Sequence, residues 1–386
     1  MPETLQKVSA TTVAFGDVVQ LSRERSNDPA ADGFERYLGL EHLEPGDLKV
    51  RSWGNIADGT TFTNVFRPGQ VLFGKRRAYQ RKVAVADFSG VCSGDIYVLE
   101  PKGDHLCPEI LPFICQSEPF YDYVISMSQG GLSPRVNWNA LAEYEFALPP
   151  LEEQRRIAEV LQAAESCRNR FVYIESTLRD VQNSTLTRAF PTNLSGNSDY
   201  PTLDSLCSII GDGTHLPPPF TKAGIPFLLV SNITNGEIDW NTEKFVSEKS
   251  YEMLTKTWRP QQGDLLYSLV GSFGVPARVE TEKRFTFQRH IGLIRTNPDL
   301  LLADYLYWYL RSPGGYRQAT WRAEGLAQKT ITLGALRAFH IPWRPVHEQQ
   351  EFIKQFETIE AQRIELVKRE TAIGQLTMSI INTQLG

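Results

Sequence analysis

The stretch "LPPLEEQRRIAEVL" at residues 148–161 decides how this chain is organised. Pro149 and Pro150 end the preceding segment, and a charged, strongly helical sequence begins at once. Residues 343–356, "WRPVHEQQEFIKQF", repeat this pattern at a constant offset of 195, so that Pro150 corresponds to Pro345. The chain therefore builds the same strand-to-helix junction twice.

The repeat extends upstream of the junction. Three pairs of segments resemble each other: "FRPGQVLFGK" (66–75) and "WRPQQGDLLYSLVG" (258–271), "CSGDIYVLEP" (92–101) and "FQRHIGLIRTNP" (287–298), and "MSQGGLSPRVNWNAL" (127–141) and "RAEGLAQKTITLGAL" (322–336). Each half is therefore a globular domain followed by a long helix. The predicted segments are a first domain at 1–148, a central helix at 149–190, a linker at 191–198, a second domain at 199–345 and a C-terminal helix at 346–386.

The predicted fold class is α/β. Short apolar runs bounded by Gly, Pro and Asp, such as "GQVLFG" and "GDLLYSLV", predict strands, and "ADYLYWYLRS" (303–312) predicts a helix between them. We expect two similar mixed α/β domains, separated by two long helices.

Both long helices carry apolar residues at heptad spacing. The central helix has Ile157, Val160, Ala164, Cys167, Phe171, Ile174, Leu178 and Val181, and the C-terminal helix has Phe352, Ile359, Leu366, Ile373 and Ile380. We expect the two helices to form an antiparallel coiled coil, with the domains related by a pseudo-twofold axis. The alternative is that each helix packs separately on its own domain. Two similar domains on a fixed spacer suit a ligand that repeats at fixed spacing, and DNA is the obvious candidate.

The composition is that of a folded chain, with 41% hydrophobic and 22% charged residues. The N-terminus lacks a basic region followed by an apolar run, so we expect no signal peptide. Five cysteines without a CxxC pair favour free thiols in a reducing compartment, and hence a cytoplasmic protein.

The net charge is −5, but positive charge is concentrated locally. "KRRAYQRK" at 75–82 has five basic residues in eight, and residues 271–345 hold 11 Lys or Arg against 5 Asp or Glu. Because electrostatic fields act over about 8 Å in physiological salt, such patches can bind phosphate on an acidic protein.

These motifs resemble the specificity subunits of Type I restriction–modification systems over almost the whole chain. The resemblance rests on the two junctions, on residues 71–101 ("VLFGKRRAYQRKVAVADFSGVCSGDIYVLEP") and on residues 211–240 ("GDGTHLPPPFTKAGIPFLLVSNITNGEIDW"). The second junction departs from the family pattern, because Arg344 and His347 stand where Pro149 and Glu152 stand in the first.

The resemblance implies a non-catalytic, DNA-recognising subunit. Each domain would be a target recognition domain that reads one part of a split site on double-stranded DNA. The helices would set the spacing and dock two methyltransferase subunits, with restriction subunits as further partners. The chain has no P-loop and no methyltransferase motif. S-adenosylmethionine, and ATP with Mg²⁺, would therefore bind partner subunits. The alternatives are a stand-alone tandem-domain DNA-binding regulator and a single-chain DNA enzyme.

The DNA-binding candidates of the first half lie in two segments. In "KRRAYQRK", Lys and Arg suit phosphates, Arg also suits guanine, Gln suits adenine and Tyr can stack. The candidates there are Lys75, Arg76, Arg77, Tyr79, Gln80, Arg81 and Lys82. In "QGGLSPR" (129–135), Gly131 allows close approach of the backbone to DNA and Arg135 would face it. The alternatives are a solvated strand edge and an ordinary turn.

The second half offers Ser272 in "VGSFG", Arg289 in "FQRH", and Gln328 and Lys329 in "EGLAQK" as DNA-binding candidates. Asp212 and His215 of "GDGTH" invite a catalytic or metal-binding interpretation. No second cluster of His or Cys accompanies them, so a structural or DNA-facing loop is favoured and no metal is expected.

Four residues of the junctions are candidates for contact with a partner subunit: Glu153, Gln154, Glu348 and Gln349. They stand on first helical turns, where capping and complementation of the helix dipole are the simpler roles.

Overall fold

The computed structural model describes residues 10–192, 199–233, 236–325 and 329–385. The chain divides into two compact units. Unit 1 comprises Met1–Tyr173 and Val367–Gly386, and unit 2 comprises Ile174–Leu366. Each unit combines sheets with helices, which confirms the predicted mixed α/β class.

Unit 1 contains ten strands among its described residues. They are β1 (Thr11–Ala14), β2 (Val19–Leu21), β3 (Arg36–Leu38), β4 (Gly54–Asn55), β5 (Asn64–Phe66), β6 (Val71–Gly74), β7 (Val83–Val85), β8 (Gly90–Cys92), β9 (Ile96–Pro101) and β10 (Glu145–Leu148). One antiparallel sheet has the order β2-β9-β6-β7, a second has the order β4-β3-β8-β5, and β1 pairs with β10. In the second sheet β3 and β8 are parallel.

Four short helices and one long helix belong to the first part of the chain. They are α1 (Phe15–Val18), α2 (Leu111–Ile114), α3 (Glu118–Ser126), α4 (Trp138–Ala142) and α5 (Leu151–Ala189). Short 3-10 helices are also present, including Ala78–Gln80.

Unit 2 repeats the first four-stranded sheet of unit 1 and the parallel strand pair of its second sheet, whereas the edges of the second sheets differ. Its strands are β11 (Cys207–Asp212), β12 (Phe220–Thr221), β13 (Ile225–Leu228), β14 (Phe245–Val246), β15 (Leu265–Ser268), β16 (Pro276–Arg278), β17 (Thr286–Phe287) and β18 (Ile291–Thr296). One sheet has the order β11-β18-β15-β16 and the other the order β12-β14-β13-β17, in which β13 and β17 are parallel. The helices are α6 (Leu203–Leu206), α7 (Glu248–Leu254), α8 (Ala303–Arg311), α9 (Pro313–Arg322), α10 (Leu333–Arg337) and α11 (Val346–Gln384).

One inner strand of the first sheet in each unit, β6 in unit 1 and β15 in unit 2, is buried on both faces. In β6, Val71 and Phe73 pack with the helices, whereas Leu72 packs against the second sheet. In β15, Leu265 and Tyr267 face the helices and Leu266 faces the second sheet. Burial on both faces explains why these strands are continuous apolar runs without polar alternation.

The long helices α5 and α11 have 39 residues each and pack antiparallel within each unit. In unit 1, Arg168 Nε lies 2.7 Å from Glu370 Oε1, and Leu161 shares a core with Ile381. In unit 2, the rings of Phe190 and Phe352 are 5.0 Å apart. The prediction of two long antiparallel helices is therefore confirmed.

The predicted continuous apolar seam is wrong at three of its positions on α5, whereas Cys167, Phe171 and Leu178 are half-buried. Val160, Ile174 and Val181 are 43–50% exposed. Polar contacts also join the middle of the two helices: in unit 2, Arg363 pairs with Glu175 at 2.8 Å. Apolar burial is concentrated at the helix ends, because there the helices pack into the domain cores as well as against each other.

The C-terminal end of α11 completes the core of unit 1. Ile381 and Leu385 are buried in the same cluster as Phe15 and Phe120. The Asn382 Oδ1 accepts a hydrogen bond of 2.9 Å from the backbone N–H of Glu118, at the start of α3. Unit 1 therefore depends on residues from the end of the chain.

Among the described residues, the helices that are long enough to cross a membrane are too polar to do so. All five cysteines are free thiols, as the sequence predicts.

Candidate nucleic-acid interface

A short hairpin projects from unit 1 at residues 129–135. Gln129 and Arg135 exchange two backbone hydrogen bonds, both 2.9 Å long. Gly130 has a φ of 111°, a conformation that L side chains rarely adopt, so the turn requires a glycine there. Leu132 lies at the tip, and 96% of its surface is exposed.

The hairpin is fixed against the beginning of "KRRAYQRK". The backbone N–H of Arg77 donates to the Pro134 carbonyl at 2.7 Å. The Ser133 hydroxyl accepts from the Nε of Arg76 at 3.1 Å and from the Nε of Arg77 at 3.2 Å. The two segments that the sequence offered separately therefore form one surface.

One carboxylate organises the positive charge of this surface. Asp95 accepts from Arg76 Nη1 at 3.2 Å and from Arg135 Nε at 2.9 Å. Burial opposes ionisation of Asp95, but the two guanidinium groups outweigh it and the pKa of Asp95 lies below its ordinary value. We call Arg76, Arg77 and Arg135 with Asp95 the arginine cluster. Its three cations exceed its one anion by two charges, which favours phosphate.

The remaining basic residues of 75–82 have contacts within the fold. The Lys75 ammonium lies 4.5 Å from the centre of the Tyr97 ring, and burial lowers the pKa of Lys75. The Lys82 ammonium donates to the Leu40 carbonyl at 2.7 Å. Arg81 forms an ion pair with Glu118, whose hydrogen bond raises the pKa of Arg81. These three cations therefore stabilise unit 1, and a role for them in DNA binding stays a prediction.

Tyr79 and Gln80 lie on the 3-10 helix between Arg77 and Arg81. Tyr79 is 53% exposed, whereas Gln80 is half-buried. Both line a cavity of about 510 Å³ together with Arg81. Arg77 and Arg81 both have positive φ, 53° and 54°, and they flank this 3-10 helix on its two sides.

Unit 2 forms the equivalent hairpin at the same offset of 195. Glu324 and Thr330 exchange backbone hydrogen bonds of 2.9 and 2.8 Å, and Gly325 has a φ of 104°. Lys329 is exposed beside Thr330, and Gln328 lies outside the described residues. The shared hairpin confirms that "QGGLSPR" and "EGLAQK" are equivalent.

The charges at the base of the hairpin are not repeated in unit 2. At the offset of 195, Gly271 and Ser272 replace Arg76 and Arg77, and Thr330 replaces Arg135. Ser272 is exposed, and its carbonyl accepts from the Ser268 hydroxyl at 2.7 Å. The arginine cluster therefore belongs to unit 1 alone.

The positive charge of unit 2 borders a different cavity. It has a volume of about 350 Å³, and its lining includes His215, Phe220, Lys244, Arg289 and His290. Arg289 is exposed. Burial and the neighbouring Arg289 lower the pKa of His290. Basic groups beside aromatic rings suit contact with a nucleic acid.

The "GDGTH" loop is held against the strand that precedes Arg289. The Thr214 carbonyl accepts from the Arg289 N–H at 3.0 Å. A Cβ added to Gly213 would lie 2.1 Å from the Phe287 carbonyl oxygen, so only glycine permits this contact. His215 Nε2 lies 3.0 Å from Asp212 Oδ2, and the described residues contain no group of three or more His, Cys, Asp or Glu side chains suited to a metal. The loop thus positions Arg289 and His215 beside the cavity.

Gln154 and Gln349 are buried, with exposed fractions of 1% and 0%. The prediction that they contact a partner subunit is therefore wrong, because their side chains are enclosed by their own units. Gln154 donates to the Pro149 carbonyl at 2.8 Å and Gln349 to the Arg344 carbonyl at 2.6 Å. Through these hydrogen bonds, each glutamine joins the first turn of a long helix to the domain that precedes the helix in the sequence.

The junction glutamates differ from the glutamines. Glu153 accepts from Arg156 at 2.9 Å, and Glu348 is exposed. Their contact with a partner subunit stays a prediction.

Three residues of the interface were missed in the sequence: Asp95, Leu132 and Ser133. Asp95 lies in "CSGDIYVLEP" and contacts Arg135 across 40 positions of sequence, which no local pattern reveals. Leu132 carried a usable signal, because an apolar residue stands alone in a loop of Gly, Ser and Pro.

Comparison with known proteins shows what the chain is similar to, and the family match lies in its first half. Residues 12–171 match the family model of the Type I restriction modification DNA specificity domain. The chain is 27% identical over 167 residues to the Type I restriction enzyme EcoDI specificity subunit of Escherichia coli, covering 40% of this chain and 36% of that protein. It is 24% identical over 302 residues to the EcoBI specificity subunit of the same organism, covering 70% of this chain and 64% of that protein. Both matches span less than two thirds of the relatives' length.

Two solved structures share the fold. The S subunit of the Type-I restriction-modification system from M. genitalium has a TM-score of 0.60 at 13% identity and covers 99% of this chain and 97% of its own. A chain from work on complex assembly and conformational transition of the type I R-M system has a TM-score of 0.59 at 20% identity and covers 100% of this chain and 99% of its own. The family-model match and the two Escherichia coli relatives confirm the resemblance of this chain to the specificity subunits of Type I restriction–modification systems, and the two solved structures show that the fold is shared.

Proposed function

We propose that this chain is the non-catalytic DNA sequence-recognition subunit of a Type I restriction–modification complex. Each unit reads one part of a bipartite target on double-stranded DNA. The observation that carries the proposal is the duplication: both units have a four-stranded sheet of the same order, a second sheet built on a parallel strand pair, and a hairpin closed at Gln129–Arg135 and at Glu324–Thr330. Because the residues at the base of the hairpins differ, the two units are suited to different sequences.

The first unit reads DNA through the arginine cluster and its hairpin. Arg76 and Arg135 are held by Asp95, and a preformed guanidinium loses less conformational entropy on binding. An arginine suits both phosphate and the O6 and N7 edge of guanine. The second unit uses Arg289 and the basic cavity beside it.

The chemistry belongs to partner subunits. We propose that two methyltransferase subunits supply S-adenosylmethionine, and that restriction subunits supply ATP and Mg²⁺ where the complex cleaves DNA. The helices α5 and α11 dock the methyltransferase subunits and set the spacing between the two parts of the target. In support, α5 is one continuous helix of 39 residues from Leu151 to Ala189, which is about 58 Å long at 1.5 Å per residue.

Methylome sequencing tests this function. The full chain is co-expressed with its methyltransferase in a host that lacks other methylation of the same type. The expected result is a methylated site in two specified parts, separated by unspecified bases, that disappears without this chain. Methylation that is independent of the chain would contradict the proposal. Methyl transfer or cleavage by the purified chain alone would favour the single-chain enzyme instead.

A gel-shift measurement distinguishes the remaining alternative, a stand-alone regulator. The purified chain is compared with its complex on a duplex that contains the methylated site. We expect sequence-specific binding by the complex. A regulator would bind an operator sequence alone and leave no methylated site.

A further inference from the structure

The tip of the unit 1 hairpin carries an apolar side chain that the fold does not bury. Leu132 has the largest exposed fraction, 96%, of the large apolar side chains in the described residues, and Leu216 follows at 79%. A Leu in this position contributes almost nothing to the stability of the unit, because burial is what makes an apolar side chain stabilising.

Hydrogen bonds on both sides of Leu132 hold it in an exposed position. The hairpin is closed by two reciprocal backbone bonds, and its far side is held by the Arg77–Pro134 bond of 2.7 Å. The Ser133 hydroxyl, next to Leu132, accepts from two guanidinium groups. These bonds on both sides of the tip fix the backbone of a residue that faces solvent.

The charges around the hairpin indicate what Leu132 meets. Arg76, Arg77 and Arg135 lie at its base with Asp95 as their shared anion. The hairpin has an apolar tip and a cationic base. It is therefore complementary to a groove that has anionic groups along its edges and an apolar group on its floor. DNA has this arrangement in its major groove, where phosphates line the edges and the C5-methyl group of thymine projects from the floor.

We propose that the hairpin 129–135 enters the major groove of the part of the target read by unit 1, and that Leu132 contacts the C5-methyl group of a thymine. This inference rests on the proposed function and adds a specificity-determining residue to it. The major groove is wide enough for a two-stranded β-ribbon, whereas the minor groove is about half as wide. The arginine cluster then lies near the phosphates at the edge of the groove and orients the hairpin.

The test uses uracil, which is thymine without its C5-methyl group. The complex of the full chain with its methyltransferase is titrated against duplexes in which each thymine of the unit 1 part is replaced singly by deoxyuridine. We expect one replacement to raise the Kd about fourfold, the effect of one methyl group on an apolar contact. With Leu132→Ala, the same replacement should change the Kd less than twofold, because the contact is already lost.

Leu216→Ala is the matched control. Leu216 is also an exposed leucine, but it belongs to unit 2, so its loss should leave the response to uracil in the unit 1 part unchanged. Since Leu132 is almost fully exposed, its replacement is not expected to disturb folding. A thermal unfolding curve equal to that of the wild type verifies this.

Three results would overturn the inference. The first is that the part of the DNA target read by unit 1 contains no thymine. The second is an equal response to uracil in the wild type and in Leu132→Ala. The third is a rise in 2-aminopurine fluorescence that depends on Leu132 without any response to uracil, which indicates a wedge between bases. Each of these results leaves the proposed function intact. The proposed function itself fails if the complex shows no sequence-specific binding.

Discussion

Gln154 and Gln349 make the same three hydrogen bonds at positions 195 residues apart. The Gln154 Oε1 accepts from the Cys107 N–H at 2.8 Å, and its Nε2 donates to the carbonyls of His105 and Pro149. The Gln349 Oε1 accepts from the Leu302 N–H at 2.9 Å, and its Nε2 donates to the carbonyls of Leu300 and Arg344. All three partners are also displaced by 195 positions, so the duplication extends to single hydrogen bonds.

The first prediction concerns these two glutamines. Gln349→Ala should lower the free energy of unfolding of unit 2 by about 1–3 kcal/mol, because buried backbone groups lose their partners. Urea titration followed by tryptophan fluorescence measures this. The adjacent Gln350 is exposed, and Gln350→Ala is the matched control, with an expected change of less than about 0.5 kcal/mol. Equal effects of the two substitutions would show that the buried bonds contribute little.

The second prediction concerns the cations beside the hairpin. Arg77→Ala should weaken DNA binding by the complex, because its guanidinium is exposed and lies beside the hairpin. If Arg77 contacts phosphate, the slope of log K against log salt decreases by about one, and a base contact costs about 1–3 kcal/mol of discrimination. Arg76→Ala is measured in the same way.

Lys82→Ala serves as the control for the arginine variants. Its ammonium is engaged by the Leu40 carbonyl, so we expect lower stability and an unchanged salt slope. Wild-type affinity and salt dependence in both arginine variants would place the DNA contact elsewhere on unit 1.

The third prediction concerns pH and Asp95. The folded pKa of Asp95 lies below its ordinary value, so the ionised form stabilises the fold. This contribution is complete above about pH 4 and is lost as pH falls through the folded pKa. Asp95→Asn should therefore lower stability at pH 6 and reduce the loss of stability between pH 4 and pH 2.5. Unfolding curves of the wild type and of Asp95→Asn are measured across this pH range. Equal pH dependence of the free energy of unfolding in the two proteins would contradict the prediction.

The fourth prediction concerns modularity. Replacing residues 12–148 by the equivalent domain of another specificity subunit should change one part of the methylated target and leave the other part unchanged. Each unit has its own sheets and core, which is the physical reason. Methylome sequencing of the exchanged chain is the test. If both parts of the target changed together, the two units would not read DNA independently.

The sequence was sufficient for the features that repeat or that follow local periodicity. The offset of 195 predicted two similar domains, and β6, β9, β13 and β15 form where short apolar runs are bounded by breakers. The helix predicted at 303–312 is present as α8. These features depend on neighbouring residues, which a sequence displays directly.

Features that depend on long-range pairing could not be predicted. The heptad pattern indicated buried apolar residues throughout α5, but Ile174 is 43% exposed and the helix pair is joined nearby by Glu175 and Arg363. The basic segment 75–82 looked uniform, yet Lys82 binds a carbonyl within the fold while Arg77 faces the hairpin. Whether a cation forms a contact within the fold depends on residues that are distant in sequence and come close to it only after folding.

The last turns of α11 have a consequence for how the protein is made. Ile381 and Leu385 belong to the core around Phe15, and Asn382 binds the start of α3. A ribosome that has finished residue 173 must add the whole of unit 2, roughly 190 residues, before these turns emerge. At about 5–20 residues per second this takes about 10–40 s. The first unit to be translated is therefore the last to be completed, and during that interval its nascent core has an apolar surface that a chaperone can protect.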